Sequence, residues 1–395
     1  MSSGPETCNP DGTPLIARTA ARLSEIGPEA WGRLAGDDDP FVSYEFLDAL
    51  EESGSCCAET GWLPQHLVLE NGAGTTLAAM PLYLKNHSHG EYVFDHGWAD
   101  AYERAGGRYY PKLQASVPFT PVTGRRLLVP PGADEDRVRS ALVGAAIQVA
   151  EKLGVATMHV TFPTESEWLL MGTAGFLRRT GEQFHWRNQG YETFDDFLAT
   201  LNSRKRKMIR KERARAFAAD ITIEAFTGET LRPEHWDAFY RFYIDTGNRK
   251  WGTPYLNREF FEIIHQTMAD RIALILCSRD GRYIAGALNF IGANSLFGRN
   301  WGCIEHHDFL HFEACYYQAI DFAIAHRLEW VEAGAQGPHK IQRGYLPRLT
   351  YSAHWIADPK FRTAVADYLD HERDQVDHEI DLIERSFTPY RKEGS

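Results

Sequence analysis

Residues 284–345 read IAGALNFIGANSLFGRNWGCIEHHDFLHFEACYYQAIDFAIAHRLEWVEAGAQGPHKIQRGY. Ala287, Phe290 and Ile291, then Leu296 and Phe297, are strand-like apolar runs split by Gly292-Ala293-Asn294, a turn composition. Beyond a polar aromatic loop, Phe312, Cys315, Tyr316, Ala319, Ile320, Ala323 and Ile324 recur at three- and four-residue spacing, which predicts a helix over 312–326 with one apolar face. A third strand at Trp330-Val331-Glu332 and a glycine-bounded basic loop follow. Polar residues gather where strands end: Arg299-Asn300-Trp301 after one, and Gln336, His339, Lys340 and Arg343 after another. Since α/β sheets bind ligands just beyond carboxyl strand ends, the site is expected there.

The chain has 395 residues, 43% of them hydrophobic, enough for two globular cores. A net charge of −12 argues against bulk attraction to nucleic acid or anionic lipid, so any such contact must be local. Its cysteines (Cys8, Cys56, Cys57, Cys277, Cys303, Cys315) show no CxxC spacing, which favours reduced thiols and disfavours a structural zinc site. The N-terminus lacks a basic patch followed by an apolar core, and no apolar run approaches membrane-spanning length. A soluble cytoplasmic protein is expected.

From the N-terminus, a Ser/Gly/Pro-rich tip over 1–14 reads as disordered. A short strand and two helices follow, the second capped by Ser43, and then a hairpin over 65–85 turned at Asn71-Gly72-Ala73-Gly74. Residues 91–121 are more polar and aromatic than a core needs and read as a binding loop offering Asp95, His96, Trp98 and Lys112. Then strand 126–129, helix 134–153, strand 156–162, helix 165–174 and strand 184–188 alternate, closing one domain over 15–190. The second domain, 191–395, opens with a helix over 194–218 that carries eight cations within 204–215 against the single acid of that stretch, Glu212. A strand over 222–226, two helices, a hairpin over 272–291 turned at Arg279-Asp280-Gly281 and, beyond the opening stretch, a charged helix over 361–386 complete it.

The halves echo one another. Each hairpin is followed by Phe-x-x-x-Trp, Phe94 to Trp98 and Phe297 to Trp301, and then by a Tyr-Tyr pair, Tyr109-Tyr110 and Tyr316-Tyr317. Two copies of one mixed-sheet α/β domain would do this.

Three clusters carry chemistry. Lys340 and Arg343 lie among glycines that allow close backbone approach, suited to a carboxylate, a phosphate or a developing oxyanion, with Glu332 as base or ion-pair partner. His306, His307, Asp308 and His311 invite a metal, yet no HExxH glutamate stands among them; a cap by Asp308 and loop histidines are the alternative, and no metal site is expected. The basic helix, through Lys207, Lys211 and Arg215, suits RNA phosphates or a solvated face.

The order of helices, hairpin, strand, helix, strand is that of the GCN5-related N-acetyltransferase (GNAT) fold, and its tandem arrangement resembles the Fem-type aminoacyl transferases of peptidoglycan assembly. The segments GEYVFDHGWADAYERAGGRYYPKLQASVPFTPVTG, LNSRKRKMIRKE and GAQGPHKIQRGYLP resemble FemAB-like N-acyltransferases over residues 40–385. The resemblance implies transfer of an acyl or aminoacyl group to a small or peptide-like amine from aminoacyl-tRNA or acyl-CoA, with no tightly bound cofactor. Lys340, Glu332 and His306 are then the catalytic candidates. Asp95, His96, Trp98, Lys112, Arg299, Asn300, Trp301, Gln336, His339, Arg343 and Tyr345 are the substrate-binding ones. The chain departs from CoA-using members in having Cys303-Ile304-Glu305-His306-His307-Asp308, with no glycine, where a pyrophosphate-cradling loop belongs. Where Fem-type enzymes carry Phe-Lys-x-Gly-Phe it has Gln342-Arg343-Gly344-Tyr345, so either the arginine replaces the lysine or Lys340 does its work. A non-catalytic protein holding a peptide-like ligand, and a metal-dependent hydrolase, are the competing readings.

Overall fold

The computed structural model describes residues 15–391 apart from 133, 219, 251–253 and 335–336. The expected disordered tip and Gln336 lie outside the described residues. The strands are β1 (Leu15–Ala20), β2 (Trp62–Pro64), β3 (His66–Asn71), β4 (Thr76–Met80), β5 (Leu82–Lys85), β6 (Lys112–Ala115), β7 (Thr157–Thr161), β8 (Leu177–Arg187), β9 (Thr222–Phe226), β10 (Ile272–Arg279), β11 (Arg282–Ile291), β12 (Ser295–Cys303), β13 (Trp330–Glu332) and β14 (Leu346–Ile356). The helices are α1 (Pro28–Ala35), α2 (Tyr44–Glu52), α3 (His96–Arg104), α4 (Glu135–Leu153), α5 (Glu165–Thr173), α6 (Phe194–Thr200), α7 (Ser203–Ala216), α8 (Pro233–Lys250), α9 (Arg258–Met268), α10 (Leu310–Phe312), α11 (Gln318–Ala325) and α12 (Pro359–Ser386).

The chain forms two compact units. One runs to Gly181 and takes in Thr350–Val376; the other is Glu182–Leu349 with the chain from Asp377 onward. The units therefore differ from a simple cut near residue 190. Strand β14, which the sequence pattern does not announce, joins the first unit's β7 through Ser352↔Thr161 to Ile356↔Thr157. The end of β8 joins the second unit's β13 through Trp330↔Arg187 to Glu332↔His185.

Local chemistry explains most boundaries. Thr164 and Glu167 form a capping box that starts α5, Ser43 caps α2, and Asn202 accepts from Lys205 N at 3.0 Å to start α7. The β10–β11 turn has both Asp280 (φ 51°) and Gly281 (φ 72°) left-handed, as a tight hairpin demands. In the first unit Leu113, Met158 and Val160 pack against Leu142, Val143 and Ala146 of α4. Each such fully buried aliphatic side chain contributes roughly 1.5–3 kcal/mol.

Several expectations are corrected. The supposed loop over 91–121 contains α3 and β6, because Lys112–Ala115 pairs with both β5 and β7. Residues 126–129 form no strand, only an isolated bridge between Ala79 and Leu128. Phe94 to Trp98 enters a helix whereas Phe297 to Trp301 lies within β12, so the shared Phe-x-x-x-Trp spacing has two different local structures. What the units do share is a run of antiparallel strands leading to one parallel pair, β6 with β7 and β12 with β13.

Candidate functional site

The parallel pair of the second unit is short. Ser295, Leu296 and Phe297 pair with Trp330, Val331 and Glu332; there β13 ends while β12 continues to Cys303. A bulge between Leu288 and Asn289 makes Arg299 the unpaired residue of the ladder, since Leu288 opposes Asn300 and Asn289 opposes Gly298. Past the last β12–β13 pair the strands leave a wedge of about 110 Å3, lined by Gly298, Arg299, Asn300, Trp301, Ala333 and, from the facing helix, Tyr316. Gly298 fits closely here, since a Cβ would stand 3.3 Å from the Glu332 carbonyl. In the first unit, buried Arg126 donates to Thr161 O, at the end of β7, at 3.0 Å and to Val122 O at 2.7 Å.

The facing helix is not regular. Between α10 and α11, Glu313–Tyr317 winds as a π turn, a rare feature often found at functional sites. The turn carries Tyr316 on the wedge and Tyr317 on Glu212. The Tyr316 hydroxyl meets His339 Nε2 at 2.9 Å. Burial, then the charges of Arg343 and Lys340, lowers the His339 pKa, which favours the neutral ring at pH 7.

Lys340 lies just behind the wedge wall. It is buried, and its Nζ donates at 2.6 Å to the carbonyl of Gly334, whose backbone faces Gly298. Burial lowers its pKa to about 8, with the wedge-lining Cys315 opposing slightly. Among the described residues it makes no ion pair. Glu332 does not serve as its partner: that carboxylate lies 3.7 Å from His185 instead.

A second cavity of about 430 Å3 shares Trp301 and His311 with the wedge and reaches His306, Thr246 and Arg249. The histidines here do not converge on a metal. His307 is 3.2 Å from Glu305, His311 packs edge-on against Trp301, and among the described residues no group of three or more potential ligands is placed for one. Asp308 is not the cap of α10; it is paired with Arg215, and the N-cap position is Phe309, with a left-handed φ of 65°.

Two expected substrate contacts are instead part of the core. Arg343 is buried and grips Glu212 with two bonds of 2.9 Å from Nη2 and one of 3.1 Å from Nε, its guanidinium over the Phe312 ring. Tyr345 is fully buried and donates to Tyr316 O. Of the α7 cations expected to suit RNA, Lys207 and Lys211 are exposed, while Arg215 is committed to Asp308.

The first-half candidates belong to the first unit. Lys112 is buried and spends its three protons on Ser88 (2.7 Å), Glu91 (2.7 Å) and Asp95 (2.5 Å). Burial would raise the Asp95 pKa, but Lys112 and then His159 hold it well below the usual carboxylate range. Tyr109 donates to Asp95, and the chain of bonds continues through His159, His354 and Ser352. Lys112 and Asp95 thus bind each other rather than face solvent. His96 is exposed at the start of α3, and Trp98 packs edge-on against His354. The polar alternation along β6 and β7 (Lys112, Gln114; Thr157, His159, Thr161) is the signal that marks this face, and it lies within segments read as loop and core.

This mixed-sheet architecture of two units is the GNAT-like one. The chain belongs to the FemAB-like family, described as peptidoglycan biosynthesis/recognition, whose model matches residues 22–392. No curated protein matches the chain. Among solved structures it is similar to FemX, with 12% identity, a TM-score of 0.53, and coverage of 89% of this chain and 99% of that one. It is also similar to L-PGS from Bacillus licheniformis, with 10% identity, a TM-score of 0.50, and coverage of 85% and 98%. Identities this low speak for the fold alone. No described helix is long and apolar enough to cross a membrane.

Proposed function

We propose that the chain transfers an acyl or aminoacyl group from an activated ester or thioester donor to an amine, with the reacting centre in the wedge between β12 and β13. The observation that carries this reading is the buried Lys340 ammonium set against Gly334, beside the place where strand backbone opens to a ligand. As the amine attacks, the carbonyl oxygen gains charge, and a cation in a water-poor setting stabilises that charge more than the ground state. The incoming nitrogen must lose a proton, and as the C–O or C–S bond to the donor breaks, the departing alcohol or thiol takes one up. Tyr316 faces the wedge and is bonded to a His339 whose lowered pKa leaves it free to accept one, so this pair fits the base role better than Glu332 or His306. Arg299, Asn300 and Trp301 hold the substrate.

The segment 303–308 suits a pyrophosphate poorly. Glu305 is held there by Arg279 and Arg282, and no glycine amides stand in the segment, so the ester of an aminoacyl-tRNA is the favoured donor. Lys207 and Lys211 are the exposed cations for its phosphates. A peptide-like amine is the acceptor class.

The test is transfer to amine acceptors from a charged tRNA pool and, separately, from an acyl-CoA panel, followed by kinetics of Lys340→Met. A fall in kcat of about a hundredfold with KM nearly unchanged is expected, as for loss of one oxyanion donor. A variant that loses affinity with turnover intact, or the absence of transfer from every donor, would favour a protein that only binds its ligand.

A further inference from the structure

The wedge alone is too small to house a substrate. Ligand sites usually occupy roughly 300–1,000 Å3, and the wedge offers about 110 Å3, room for the reacting groups and little more. The adjoining cavity, at about 430 Å3, falls within that range, and Trp301 and His311 line both spaces, so the two adjoin at those side chains.

The cavity has identifiable walls. Gly302 lets the backbone of α8 lie directly on β12, since a Cβ there would clash with Phe242 O. Thr246 and Arg249 of α8 line the cavity, and Arg249 donates to Cys303 O of β12 at 2.7 Å. Trp301, Cys303 and Leu310 supply apolar surface. The carboxylate of the lining, Glu305, is already neutralised by Arg279 at 3.2 Å and Arg282 at 3.1 Å, with the His307 ring 3.2 Å away. Among the described lining residues a cationic group would therefore meet Arg249, itself paired with Asp245, and no uncommitted acid. Thr246 also lines the cavity, and its hydroxyl is buried behind that surface, a side-chain rotation away from it, with no hydrogen-bond partner among the described residues. Leaving a buried hydroxyl unsatisfied is costly, so an occupant that can bond it is preferred.

Resting on the transferase reading above, we infer that this cavity selects a reactant whose side group is uncharged, largely apolar and of aromatic size, with one hydrogen-bonding atom at its tip, as in a phenol or an indole. The Trp301 ring and the Leu310 and Cys303 side chains hold its body, and Thr246 bonds its tip. The enzyme's substrate class is then a bulky neutral one, and acetyl or glycyl groups, which leave the cavity empty, are poor substrates.

Neutral amides mimic the product of transfer, so the experiment titrates the full-length chain with acetamide, phenylacetamide and para-hydroxyphenylacetamide by calorimetry and ligand-observed NMR. Phenethylammonium and phenylacetate are the charged controls. Phenylacetamide should bind about tenfold or more tighter than acetamide, since a buried aromatic side group adds that much. The para-hydroxyl should add a further gain that Thr246→Val abolishes while leaving phenylacetamide unchanged. Cys303→Phe, which fills the cavity, should remove the size preference without altering acetamide binding. Should that variant fail to fold by circular dichroism, Thr246→Val still decides the matter. Binding that ignores size, no measurable binding of any amide, tighter binding of either charged control, or indifference to Thr246→Val overturns the inference. Size-selective binding in a protein that transfers nothing would leave the cavity's preference standing and sink the transferase reading; transfer with size-blind binding would do the reverse.

Discussion

Glu212, the single acid of the basic helix α7, is buried against Arg343 at 2.9 Å, and Tyr317 of the π turn donates to the same carboxylate. The pair ties helix α7 to the loop that carries Lys340 and to the helix that faces the wedge. Arginine in a glycine-flanked basic loop suggests a ligand clamp; its role here is to hold the wall of the site in place.

Breaking this pair should destabilise the protein rather than weaken substrate binding. Arg343→Met leaves Glu212 buried without its counter-ion, which typically costs about 3–5 kcal/mol. A clear fall in Tm is expected, with Glu212→Gln shifting it in the same direction. An unchanged Tm combined with a loss of ligand affinity would return Arg343 to a substrate-binding role.

Lys340 predicts opposite pH trends for activity and stability. Its folded pKa of about 8 lies below the ordinary 10.5, so the charged form that stabilises the oxyanion is lost as pH rises through about 8, and kcat should fall there. Across the window from about 8 to 10.5 the unfolded chain binds more protons than the native one, so this lysine makes stability rise with pH. Lys340→Arg, which stays charged, should push the activity limb to higher pH. A limb that does not move in that variant would assign it to another group.

Acid should unfold the protein early. Burial lowers His159 and His185 to about 3, in each case with help from nearby cations, and holds His354 well below its ordinary value. The unfolded chain takes up these protons near pH 6.5, so stability present above that pH is lost as pH falls towards 3. Plots of stability against pH should steepen over this window, and His185→Gln should reduce the slope by about one proton. An unaltered slope would show that this ring is protonated in the folded state.

If α7 meets RNA, Lys207→Ala and Lys211→Ala should together weaken tRNA binding and flatten its salt dependence by roughly 0.7–0.9 for each phosphate that is no longer neutralised. Arg215→Ala should matter less, because that guanidinium is already paired with Asp308. Equal salt slopes in all three variants would make the helix a solvated face.

What the sequence determined by itself was set by local rules. Ser43 as a cap, the Asp280-Gly281 turn and the periodic apolar face over 312–326 depend on neighbours within a few residues, and each is present apart from the π turn, an extra residue that periodicity cannot show. The family was legible in the same way, through contiguous segments such as GAQGPHKIQRGYLP. Tertiary structure alone decided what each polar residue does. Lys112 and Asp95 look like site residues in one dimension, and their shared buried network depends on β6 pairing with β7, a strand that the chain reaches only after the whole of helix α4. Arg343 is withdrawn from the site by an acid 131 positions away. The wedge exists only because β13 stops where β12 goes on, a difference in length between two paired strands that no composition reports. A charge in a sequence has no partner until the fold supplies one, and in a buried setting the partner decides whether it is chemistry or scaffold.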